Sequence, residues 1–152
     1  MTLTQRLAEL RIDLPEVATP LAAYVPATVV GNQVWTSGQL PSVQGTLIAT
    51  GKLGAEVSLE QGVECARVCL LNALAAIAAA AGGVDKITRI IKIVIFVASA
   101  PDFTAQPQVG NGASELIGKL FGPAGDHVRS AVGVNVLPID APVEIDVIAE
   151  IA

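Results

Sequence analysis

The stretch that most constrains this chain is residues 86–98, KITRIIKIVIFVA, in which Ile87, Ile91, Ile93, Ile95 and Val97 alternate with Ile90, Val94 and Phe96. Apolar residues on both parities describe a strand buried on both faces, and such a strand needs one layer above it and another below. Two long helices are available to cover it, over residues 58–81 and roughly 101–121. Each joins one strand to the next by a crossover, and crossovers of one hand put both helices on the same side. The opposite face lacks a cover from this chain, and another copy of the chain is the simplest one.

Composition points the same way. The 152 residues fit one domain, 52% of them hydrophobic and only 15% charged, which is more apolar surface than a lone domain of this size normally hides. Arg67 and Asn72 interrupt one long apolar segment and Lys86, Arg89 and Lys92 the next, so no membrane span is expected. The opening MTLTQRLAELRIDLP carries acids and lacks the apolar core of a secretory signal, which makes the cytoplasm the expected location. A net charge of -5 opposes binding to a phosphate backbone, so nucleic acid is not an expected partner. With one histidine and two cysteines the chain offers no zinc ligand set, and no metal or cofactor is expected. Cys65 and Cys69, one helical turn apart, read as core filler.

In chain order, Leu3, Leu7 and Leu10 mark a short helix within an N-terminal extension over residues 1–20, followed by the main domain over 21–152. Pro15, Pro20 and Pro26 give an extended entry containing Tyr24, the only tyrosine, which reads as an amphipathic edge residue. TVVGNQVWTSGQLP predicts a hairpin turning at Gly31-Asn32, its second strand ending at Ser37-Gly38, where glycine admits the close approach of a backbone or ligand. SVQGTLIATGKLG predicts a looped hairpin or short strand. Ser58 and Gln61 form a capping box ahead of residues 58–81, and Gly82-Gly83 closes that helix. In the second helix Leu116, Ile117, Leu120 and Phe121 are the apolar positions, and Asn111 near its start could cap it or meet a ligand. His127 lies in a loop with no partner implied by spacing, so it is not read as catalytic.

The C-terminal 26 residues alternate again. Val128, Val132, Val134 and Val136 take turns with Arg129, Ala131, Gly133 and Asn135, and Val143, Ile145, Val147 and Ala149 with Glu144, Asp146 and Ile148. Arg129 thus leaves the face opposite the valines, over small neighbours, with a planar fork suited to a carboxylate. A simple turn at LPIDAP would pair the two strands directly, Glu144 opposite Asn135 and Arg129 opposite Glu150. Arg129 and Glu144 would then stand about 20 Å apart along the sheet. In that geometry they cannot share a ligand, so either the strands diverge or the two residues meet across a subunit boundary.

Two of these segments, a hydrophobic strand followed by TSGQLP and the run Arg129-Ser-Ala-Val-Gly-Val with Leu137-Pro138 and residues 143–149 behind it, resemble the signatures of the RidA/YjgF family, also called the endoribonuclease L-PSP family. The resemblance implies an α+β domain of the chorismate-mutase-like (bacillus type) fold, a mixed sheet with two helices on one face, assembled as a homotrimer with sites in the clefts between subunits. The implied activity is hydrolysis of reactive enamines or imines such as 2-aminoacrylate to 2-oxo acids and ammonia, without metal or cofactor. By motif position, Arg129 would hold the substrate carboxylate and Glu144 would position or activate water. Ser37 and Gly38 would line the pocket, with Tyr24 and Asn111 at its rim and Ala131 on its floor. This chain departs from the best-known members in carrying Ala131 where they have cysteine and Gly133 where they have an acid. A non-catalytic trimer binding small carboxylates is the alternative reading, and an endoribonuclease a weaker one.

Overall fold

The computed structural model describes every residue from Met1 to Ala152. Thr2 accepts from the Gln5 backbone and Gln5 answers to the Thr2 backbone, a capping box that starts helix α1, Leu3–Glu9. The hairpin of β1 (Ala27–Val30) and β2 (Gln33–Thr36) turns at Gly31, whose φ is +59°. A smaller hairpin pairs β3 (Ser42–Val43) with β4 (Thr46–Leu47), turning through Gln44 and Gly45 at φ 51° and 81°. Ser58 and Gln61 cap α2, Leu59–Ala81, and Gly82 ends it in the left-handed region at φ 88°. There follow β5 (Ile87–Ala98), α3 (Gln106–Phe121), β6 (Val128–Val134) and β7 (Val143–Ile151). Helix α2 is long and apolar enough by composition to cross a membrane, but 67% of that segment is buried within this domain.

The five-stranded sheet has the order β1-β2-β7-β5-β6, with β5 parallel to β6 and antiparallel to β7. Both α2 and α3 lie on one face, α2 over β7 and the β1-β2 hairpin, α3 over β5 and β6. Between helices and sheet sits a core of 27 buried residues that also takes in Leu3 and Leu7 of α1. This is the expected α+β arrangement of a mixed sheet covered on one side.

Two strand expectations are corrected. The C-terminal segments do not form a hairpin: β5 lies between β6 and β7, and residues 135–142 cross over its end through left-handed turns at Ile139 (φ 50°) and Asp140 (φ 62°). A linker of that length spans the roughly 9.6 Å of two strand spacings, and the strand that most needs neighbours on both sides takes the middle. Within β5 the alternation slips. Register shifts between Ile87 and Arg89 and between Ile90 and Lys92 bring Ile87, Ile90, Ile93, Ile95 and Val97 all onto the helix side, where they are buried.

The opposite face has no layer on it. Trp35, Ile148, Val94, Phe96, Val128 and Val132 lie there by register and alternation, with Trp35 49%, Val128 64% and Val132 43% exposed. The alternation in β6 therefore runs inside out relative to an ordinary half-buried strand. Its valines face outward, and Arg129, Ala131 and Gly133 face the helices.

Candidate functional site

The residues singled out in the sequence fall into two groups. Arg129 is level with Ile93 and shares its helix-covered face, while Glu144 is level with Phe96 on the opposite face. Three residues of offset and two strand spacings put their Cα atoms about 14 Å apart. Within one chain the cation and the carboxylate act on different surfaces.

The first group forms around the end of β2. The ladder to β7 breaks at Ser37-Gly38: the Thr36 hydroxyl accepts from the Val147 amide at 3.0 Å, and backbone pairing resumes only where Gln39 exchanges bonds with Ile145. Into the gap leans Glu144, whose Cδ would lie 2.7 Å from a Cβ at position 38, so only glycine leaves room for it. Burial lifts the Glu144 carboxyl above its ordinary 4.5, and the charge of Asp146 adds to the lift. Burial likewise raises Asp146 above 3.8, with Lys92 pulling the other way.

Tyr24, Gly38 and Glu144 line one cavity of about 1010 Å³, walled by the segment entering β1 and floored in part by Asn72. Asn72 is only 2% exposed, and its Nδ2 donates to the carbonyls of Leu40 (2.9 Å) and Ser42 (3.0 Å), which fixes the cavity wall. The charged side chains around the cavity are Asp13, Glu16 and Glu144, all acids. Ser37 stands just outside it, its hydroxyl donating to the Val25 carbonyl at 2.5 Å.

The second group sits between β6 and α3. Arg129 Nη1 donates to Ser114 Oγ at 3.1 Å and Nη2 to the Pro107 carbonyl at 3.1 Å. A Cβ on Gly110 would fall 2.9 Å from Nη1, so the guanidinium rests on bare helix backbone. It is half-buried and takes part in neither of the ion pairs in the chain, Arg6 with Glu9 and Arg67 with Glu64. A sheltered cation without a carboxylate partner suits an organic anion.

Ala131 lies two residues along on the same face. Asn111 lies four residues after Pro107 and three before Ser114, the two residues that accept from Arg129, and so shares their helical stripe. It does not cap α3, which begins at Gln106 after Ala105, so of the two roles weighed for it capping is excluded.

Ser114 was not singled out in the sequence, and His127 was named there only as a loop residue without a partner. His127 Nδ1 lies 2.6 Å from the Gly125 carbonyl and Nε2 lies 2.9 Å from Ser114 Oγ. No local pattern joins Ser114 to His127, because the connection from α3 into β6 creates the contact. Cys65 and Cys69 are free and buried, as expected of core filler, and burial pushes the Cys65 thiol up to about 11.

Comparison with known proteins agrees with this layout. Residues 4–151 match the family described as "YjgF/chorismate mutase-like, putative endoribonuclease". Protein TCP17 of Trypanosoma cruzi is 42% identical over 146 residues, spanning 95% of this chain and 91% of its own. A 2-iminobutanoate/2-iminopropanoate deaminase of Dermatophagoides farinae is 32% identical over 141 residues, 92% of this chain and 94% of its own. Among solved structures, E. coli TdcF with bound serine superposes with a TM-score of 0.63 at 28% identity, covering 91% of this chain and 93% of that one. The chain belongs to the YjgF/chorismate mutase-like family.

Proposed function

We propose that this protein hydrolyses small enamines or imines of the 2-aminoacrylate type to 2-oxo acids and ammonia, at sites assembled between copies of a homotrimer. The observation that carries the reading is the division of the site. Glu144 stands at a cavity whose charged members are all acids, and Arg129 waits on the other face without a carboxylate partner. Neither half alone suits a substrate carrying both a carboxylate and an imine nitrogen. The uncovered apolar face supplies the reason for copies to associate, and in this reading Arg129, carried on the edge strand β6, meets Glu144 of a neighbouring copy at the rim of that contact. Kinship to a 2-iminobutanoate/2-iminopropanoate deaminase and to a serine-bound structure supports a substrate of amino-acid size.

In this reading Arg129 holds the carboxylate and Asn111 stands beside it, with Ala131 leaving room on the floor. Water adds to the imine carbon, its oxygen forming the new bond while the C=N π electrons move to nitrogen. Glu144 takes the proton from that water and passes it to the nitrogen. Glu144 then carries the carbinol O–H proton to the amine nitrogen, and as the oxygen lone pair forms the C=O bond the C–N bond breaks and ammonia leaves. A carboxyl whose affinity for protons is raised by burial suits this exchange better than an exposed one. Gly38 lets the carboxylate reach the cavity, and Tyr24 borders it. The imine is already electrophilic, so the protein mainly orients it and complements its charge.

The test is ammonia release from 2-aminoacrylate generated in the assay. Wild-type protein should accelerate it and Arg129→Ala should abolish the acceleration. An inert wild type that still binds 2-oxo acids in calorimetry would replace the deaminase with a carboxylate-binding trimer.

A further inference from the structure

We propose that Ser114 and His127 are positioning residues that fix the Arg129 guanidinium for its ligand, an inference that rests on the reading of Arg129 as the carboxylate holder. Arg129 needs external support. It stands on the edge strand β6, and its neighbours on that face, Ala131 and Gly133, are too small to wedge a long side chain. Support comes from α3 instead: Gly110 seats the guanidinium, and the Pro107 carbonyl and Ser114 Oγ each accept one N–H.

The direction of each bond follows from chemistry. A carbonyl only accepts, so the bond to Gly125 requires a proton on His127 Nδ1. In the neutral ring Nε2 is then an acceptor, and the partner 2.9 Å away is the Ser114 hydroxyl. With its proton sent to His127, Ser114 Oγ turns a lone pair to Arg129 Nη1. The relay runs from Arg129 through Ser114 and His127 to the Gly125 carbonyl, each group orienting the one before it. Its far end is anchored by packing, since a Cβ on the buried Gly125 would fall 2.9 Å from the Ile117 carbonyl oxygen. Only two of the five guanidinium N–H donors are used in holding the group, which leaves others for a carboxylate.

The experiment uses the full chain with 2-oxobutanoate as the calorimetric probe and 2-aminoacrylate as substrate. Ser114→Ala and His127→Phe should each weaken binding and raise KM about tenfold, with a smaller change in kcat. His127→Gln can place an acceptor oxygen where Nε2 stands and should restore most of the loss, as should Ser114→Thr in its position. Imidazole ¹⁵N shifts of the wild type should report the Nδ1–H tautomer, a reading that depends on no variant folding. Wild-type affinity in Ser114→Ala and His127→Phe, equal weakening in the Phe and Gln variants, or an Nε2–H tautomer would each overturn the relay while leaving the role of Arg129 intact. A wild type that neither binds 2-oxobutanoate nor releases ammonia would instead remove the carboxylate reading, and the proposal with it.

Discussion

Gly38 and Glu144 occupy one another's space: a Cβ on the glycine would meet the carboxyl oxygen Oε1 and lie 2.7 Å from Cδ. Gly38 is not among the glycines at positive φ, so a substitution there strains the side-chain contact and not the backbone. Gly38→Ala should therefore fold, at a cost of about 1–3 kcal/mol, while pushing Glu144 out of its gap. Activity should fall about 10- to 100-fold, with little change in KM for the carboxylate. Steady-state kinetics with a urea melt would check this, and a fully active Gly38→Ala would remove Glu144 from the chemistry.

If Arg129 and Glu144 of different copies form one site, two dead variants should rescue each other. In a ring of three, each mixed trimer of Arg129→Ala and Glu144→Gln subunits retains one interface carrying both wild-type residues. Random assembly of an equal mixture should restore about a quarter of wild-type activity. Co-expression followed by an ammonia assay tests it. A mixture no better than its two components would mean that Arg129 and Glu144 do not share a substrate across an interface.

Those relationships were only partly legible beforehand. Local signals sufficed where the determinant is local: the Ser58-Gln61 box and Gly82 bound α2, and Gly31 turns the first hairpin. They failed where a third segment intervenes. Nothing in the alternation of β6 and β7 reveals that β5 lies between them, because each strand pattern is satisfied equally by either neighbour. The same alternation marks which residues share a face but not which face is covered, so the valines of β6 looked like core and are the exposed side. Motif resemblance singled out Arg129, Ser37, Gly38 and Glu144, of which the fold brings Gly38 and Glu144 together at the cavity, leaves Ser37 just outside it and sets Arg129 on another surface. Ser114 and His127 were not, since a contact made across a crossover leaves no spacing to read.

Val132 stands on the uncovered face, 43% exposed and level with Phe96. Val132→Asp touches little inside the protomer, so its circular dichroism should match wild type. Burying an unpaired carboxylate in an apolar interface is costly, so if this face closes the proposed trimer the variant should sediment as a smaller species than wild type at the same concentration. Unchanged sedimentation would show that copies do not meet on this face.

Helices α2 and α3 approach closely where a Cβ on Gly112 would fall 2.9 Å from the Val63 carbonyl carbon and meet its oxygen. Backbone cannot swing aside as a side chain can. Gly112→Ala should push the helices apart and cost about 2–3 kcal/mol, although alanine is the better helix former by about 1 kcal/mol. Chemical denaturation would measure it. A stabilised variant would mean that the helix interface yields readily.

The last prediction concerns pH. Glu144 and Asp146 are both raised above their ordinary values of 4.5 and 3.8, chiefly by burial, so each binds protons more readily folded than unfolded. Above their raised folded values both are charged in either state, and folding bears the full penalty of desolvating two neighbouring carboxylates. As pH falls through their raised folded values the native state takes up protons while the unfolded chain remains ionised, and the penalty is relieved. Stability contributed by this pair therefore rises as pH falls from neutrality and levels off below the ordinary values, where both states are protonated. A Glu144→Gln, Asp146→Asn double variant has no such proton uptake. It should be more stable than wild type at neutral pH, and the gap should narrow as pH falls through the window between the raised and the ordinary values. Urea melts of the two proteins at a series of pH values, compared at equal protein concentration, would show whether the gap closes. Curves that stay parallel across that range would mean that the two carboxyls titrate at the same pH folded and unfolded, and that burial on this face does not perturb them.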